Sequence, residues 1–133
     1  MRLADIEGIG GVYARKLKKA GVRGVGSLLT AGATPKGRKE LVRATGISGK
    51  LILEWVNLAD LYRVKGIGSE YSDLLEEAGV DTVVELAKRD SKKLYEKMAA
   101  VNMKKKLVRQ MPGPKVVTKW VRHAKRLPRV VKY

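Results

Sequence analysis

The chain has 133 residues, 44% of them apolar, enough for one or two small domains with a modest core. Lys and Arg number 29 against 13 Asp and Glu, and the resulting net charge of +16 calls for a polyanionic partner. With no Cys and a single histidine, His123, the composition excludes disulfides, thiolate metal sites and a zinc-binding His cluster, and leaves one imidazole for any catalytic triad.

The N-terminus, Met1-Arg2-Leu3-Ala4-Asp5, lacks the apolar core of a signal peptide, and no apolar run approaches the ~20 residues of a membrane span. A soluble, cytoplasmic protein is therefore expected. Apolar positions recur at three and four rather than at two, as in Tyr13, Leu17, Ala20 and in Tyr71, Leu75, Ala78, so the predicted fold is all-α. A short helical turn precedes Gly8, and helices are predicted at 11–20, 24–31, 35–45 and 49–61. Another turn precedes Gly66, followed by helices at 69–78, 82–89, 91–101, 103–110 and 114–126. Thr34-Pro35 and Asp90-Ser91 read as helix starts, and Gly21 and Gly79 as left-handed stops. The last residues, from Leu127-Pro128 to Tyr133, are expected to be extended or mobile.

The chain also repeats itself. Ile6 to Val22 lies over Val64 to Val80 at a constant offset of 58, sharing Gly-Ile-Gly, a Tyr, a Leu and Ala-Gly-Val. Lys50 to Val56 lies over Lys115 to Val121 at an offset of 65, so the second copy carries about seven extra residues, placed near Met103 to Gln110. Two tandem units follow, 1–62 and 63–133.

An apolar residue between glycines at a helix start lets the chain reverse tightly and leaves backbone N–H groups open to a phosphate. Gly8-Ile9-Gly10 with Ala14 and Leu17, and Gly66-Ile67-Gly68 with Leu75, resemble helix-hairpin-helix motifs. The paired layout resembles, over nearly the whole chain, a domain-of-unknown-function family built from tandem helix-hairpin-helix repeats. That resemblance implies an all-helical fold and sequence-independent DNA binding. Hairpins of this type that grip DNA commonly place Lys or Arg two residues after the second glycine, where this chain has Val12 and Glu70. Later in each unit, Gly46-Ile47-Ser48-Gly49-Lys50 and Gly113-Pro114-Lys115 do keep a small residue, a spacer and a Lys. Candidate phosphate contacts are therefore Gly8, Gly10, Lys16, Ser48, Gly49, Lys50, Gly113 and Lys115. The plainer reading of both Gly-Ile-Gly segments is a turn that only packs helices.

Charge is unevenly spread: residues 65–90 carry three cations and seven acids, residues 91–133 fourteen cations and one acid. On the last helix Lys115, Lys119, Arg122 and Arg126 form one stripe, predicted to bind, and Val116, Trp120, Ala124 and Leu127 another, predicted to pack. Trp55 and Trp120 occupy equivalent places and read as core anchors rather than base-stacking platforms, as do Tyr13 and Tyr71. His123 reads as a surface contact or helix-end charge. Glu70, Asp73, Glu76 and Glu77 read as a solvated acidic face without a metal, able to dock on a basic surface such as Arg15, Lys16, Lys18 and Lys19 of a neighbouring molecule. The function expected is DNA binding through the phosphate backbone without sequence preference, in the manner of a nucleoid-associated protein. No enzyme activity, cofactor, metal, membrane or small-molecule substrate is expected. The alternatives are RNA binding and a scaffold for other proteins, the latter favoured if the Lys50 and Lys115 hairpins faced inward.

Overall fold

The computed structural model describes residues 2–133, and among these every regular element is helical. After a 3-10 turn at Leu3–Asp5 come α1 (Gly11–Lys19), α2 (Val25–Ala31), α3 (Pro35–Thr45), α4 (Gly49–Leu61), α5 (Ser69–Glu77), α6 (Val83–Ala87), α7 (Ser91–Lys105) and α8 (Pro114–Arg126). Two compact units are present: Met1–Asp60 with Val130–Tyr133, and Leu61–Arg129.

Local chemistry accounts for most helix ends. Thr34, Thr82 and Asp90 each accept, on a side-chain oxygen, the N–H three residues on, capping α3, α6 and α7. The bond from the Lys93 N–H also holds the Asp90 carboxyl below its ordinary pKa. The ends of α1 and α5 are alike. Gly21 and Gly79 adopt φ of 90° and 93°, and the Val22 and Val80 N–H groups return to the Leu17 and Leu75 carbonyls at 2.9 and 2.8 Å, the Schellman closure.

In the first unit α1 packs on α3 and on the 3-10 turn, and α2 packs on α3; in the second, α6 and α7 both pack on α8 and α5 packs on α7. Each unit buries a tryptophan under its Gly-Ile-Gly turn. Trp55, 1% exposed, stacks at a tilt on Tyr13 with ring centroids 5.1 Å apart, and Trp120, 2% exposed, on Tyr71 at 5.2 Å. Gly8 and Gly66 stand at φ of 91° and 94°, and a Cβ there would lie 3.2 Å from Trp55 Nε1 and 3.1 Å from Trp120 Nε1. Backbone strain and close approach thus both demand glycine. At Gly10 neither does, since φ is −86° and nothing lies within 4 Å of where a Cβ would stand. Gly8→Ala and Gly66→Ala should each cost about 2 kcal/mol, and Gly10→Ala about 0.5 kcal/mol as a poorer N-cap. Urea denaturation measures all three, and equal losses would remove the Trp-and-turn explanation.

Three expectations need correction. The predicted helix at 103–110 is absent, because α7 runs on through Asn102 to Lys105 and stops at Lys106, a left-handed residue with φ of 51°. Asn102 stays helical and uses its amide on the loop instead: Oδ1 accepts the Val108 N–H at 3.0 Å and Nδ2 donates to the Val108 carbonyl at 3.2 Å. The surplus of the second copy therefore sits in the end of α7 and the loop to Gly113, against a three-residue connection, Gly46 to Ser48, between α3 and α4.

The packing stripe of α8 is Val117, Trp120, Val121 and Ala124. Val116 is 40% exposed, one position out of phase with the buried arc.

The third concerns the last residues: they are extended as expected, but Val130–Tyr133 are docked rather than mobile and group with the first unit, whereas Leu127–Arg129 stay with the second. Val131 is 3% exposed, the Lys132 N–H donates to the Ala33 carbonyl at 2.7 Å, and the Tyr133 hydroxyl to Asn57 Oδ1 at 3.0 Å. Arg38, itself buried, donates from Nη1 to the Gly32 carbonyl at 2.8 Å and from Nη2 to the Lys132 carbonyl at 2.7 Å.

Candidate nucleic-acid interface

The C-terminal helix separates its two faces by charge. With 3.6 residues per turn, Lys115, Lys119, Arg122 and Arg126 fall within an arc of about 60° on α8 and extend over about 16 Å of its axis. All four are exposed, and no Asp or Glu interrupts the helix. The opposite face holds the buried Val117, Trp120, Val121 and Ala124, so rotation of the helix is fixed and the stripe is held outward. A stripe of this length matches about five base-pair steps at 3.4 Å each.

The helix starts near the candidate residues differ in what caps them. The first turns of α1 and α5 follow Gly10 and Gly68, neither of which places a side-chain cap on them. Their N–H groups at Gly11, Val12 and Tyr13, and at Ser69, Glu70 and Tyr71, are the type of donors that receive an anion, although Glu70 sets a carboxylate in the α5 turn. At α4, Ser48 Oγ accepts the Leu51 N–H at 3.3 Å, taking up one such donor. At α8, Pro114 has no N–H to offer. Side-chain caps are thus absent at α1, α5 and α8, and of the candidate lysines Lys16 lies on α1, Lys50 begins α4 and Lys115 begins α8. All three lysines are exposed, as are Gly8, Gly10, Ser48, Gly49 and Gly113.

Neither Trp55 nor Trp120 is accessible for base stacking, since both are buried. His123 ties the fold together: its Nδ1 accepts the Lys65 N–H at 3.1 Å, bracing the turn that leads into Gly66 against α8. Among the described residues no group of three or more His, Asp or Glu is arranged to hold a metal, and no helix is long and apolar enough to cross a membrane. A concavity of about 440 Å3 lined by Lys18, Lys19 and Arg23 opens beside the end of α1. Arg23 was not among the candidates from sequence; its signal was a cation placed two residues beyond a glycine helix stop, beside two exposed lysines of the preceding turn.

A family model described as Domain of unknown function (DUF4332) matches residues 7–127. No curated protein and no solved structure matches the chain.

Proposed function

For a chain that belongs to the DUF4332 family, whose description names no activity, we propose that the second unit binds the phosphate backbone of duplex DNA without reading its sequence, as a binder and not as an enzyme. The observation that carries this reading is the α8 stripe: four exposed cations on one arc, held outward by a buried opposite face, in a segment with fourteen cations and one acid. Contacts of this kind position a protein on nucleic acid but carry no base information. We read the glycine turns as helix-hairpin-helix elements in tandem. Gly8-Ile9, Gly46-Ile47 and Gly66-Ile67 each pair a positive-φ glycine with an isoleucine at most 4% exposed, immediately before a helix. At Gly10, where the fold itself does not require glycine, the bare backbone leaves room for a phosphate to approach α1, with Lys16 exposed one turn on. Compaction or protection of DNA in a nucleoid is the cellular role that fits such a surface.

The test is a binding series with duplex, single-stranded and junction DNA and duplex RNA across salt concentrations. Each neutralised phosphate lowers log K by about 0.9 per unit of log salt, and the expected slope on duplex DNA is on the order of −4 to −7. A slope near zero, or no binding at low salt, overturns the reading. Equal affinity for duplex RNA reassigns the polyanion.

A further inference from the structure

Residues 11–23 and 69–81 are one platform with opposite charge. Each contains a nine-residue helix, α1 or α5, that starts after a glycine N-cap and ends in the same Schellman closure. Their packed positions correspond: Tyr13 with Tyr71, Leu17 with Leu75, Ala20 with Ala78, Val22 with Val80. The outward positions do not. The first segment carries Arg15, Lys16, Lys18, Lys19 and Arg23 and no acid, and all five are exposed. The second carries Glu70, Asp73, Glu76, Glu77 and Asp81 and no cation, all of them exposed or half-buried. Four of the positions invert one for one: Arg15 with Asp73, Lys18 with Glu76, Lys19 with Glu77, Arg23 with Asp81.

We propose that these two faces are the halves of a self-association surface, the basic α1 face of one molecule docking on the acidic α5 face of a second copy. Because the backbone beneath is alike, a contact related by a local twofold lays the two helices antiparallel, with cations against acids along the row. Each molecule then keeps one face unused, acidic on one and basic on the other, so the contact is head-to-tail and propagates into a chain or closes into a ring. Inversion of charge at four corresponding positions is the pattern that a matched partner face requires. Lys105 already pairs with Glu77 from within the unit, and Arg89 Nη2 sits on the Gly79 carbonyl at 2.8 Å. Such exposed pairs exchange at little cost, so an incoming lysine can replace Lys105. This proposal does not depend on DNA binding.

The experiment is the mass of the nuclease-treated full chain by sedimentation, over a range of concentrations near 0.15 M salt. The wild-type mass is expected to rise beyond the 14.7 kDa monomer with concentration, and to return to it near 1 M salt, where the screening length falls to ~3 Å. A variant with Arg15, Lys18, Lys19 and Arg23 changed to Glu, and another with Asp73, Glu76, Glu77 and Asp81 changed to Lys, should each remain monomeric. Mixing the two should restore the heavier species, because only then does each molecule meet faces of the other sign. That rescue also shows both variants to be folded. A wild-type chain that stays monomeric at every concentration overturns the proposal, as do folded variants that still self-associate or that fail to combine.

Discussion

Changing Lys119, Arg122 and Arg126 together to Gln is expected to weaken duplex binding on the order of 100-fold at 0.1 M salt. Three lost phosphate contacts are worth ~2.7 log units between 1 M and 0.1 M salt, and neighbouring cations recover part of that loss. The salt slope should become shallower by about 2 in the same measurement. Stability should hold, because the three side chains are exposed and their helix is anchored by Val117, Trp120, Val121 and Ala124 on its other face. Changing Arg15, Lys16, Lys18 and Lys19 together to Gln removes more charge but is expected to cost less, since the α8 stripe lies in the segment with fourteen cations and one acid. Fluorescence anisotropy on one labelled duplex compares the two. A larger loss from the α1 variant would move the DNA path to the first unit and make Gly10 and Lys16 its centre.

The second large effect is on stability and comes from the docked C-terminal residues. Removing Val130–Tyr133 should cost about 3 kcal/mol, from the lost burial of Val131 and from a buried Arg38 left without one of its two carbonyl acceptors. Tyr133→Phe, which deletes a hydrogen bond from a side chain 60% exposed, should cost under ~1 kcal/mol. Arg38→Met should be costly in the full chain and nearly neutral once the four residues are gone, because the charge then has less to hold. Urea midpoints of the four variants against the wild type measure this. An unchanged midpoint after truncation would show that the segment rests on the first unit without stabilising it.

Helix identity, helix starts and the buried anchors were legible in the sequence, and the reason is that the terms deciding them act within one turn. Thr34 and Asp90 find their N–H partners three residues away, Gly21 and Gly79 meet a local demand for positive φ, and the 3.6-residue period sets Leu17, Leu75 and both tryptophans inward. The basic stripe of α8 was legible for the same reason. The predicted boundary between helices 91–101 and 103–110 failed at Asn102, which stays helical because its amide is satisfied by a loop six residues on. The docking of Val131 depends on Arg38, 94 residues from Lys132, and on Asn57, 76 residues from Tyr133, so no local pattern announces it. That Ser48 takes up the Leu51 N–H at the start of α4 was equally hidden. The sequence by itself determined eight of the helices, the caps at Thr34 and Asp90, the stops at Gly21 and Gly79 and the basic arc of α8, because backbone geometry and hydrophobic periodicity are local. Only the tertiary structure decided where the chain's last residues rest and which valines of α8 are core, because both depend on surfaces assembled from distant segments.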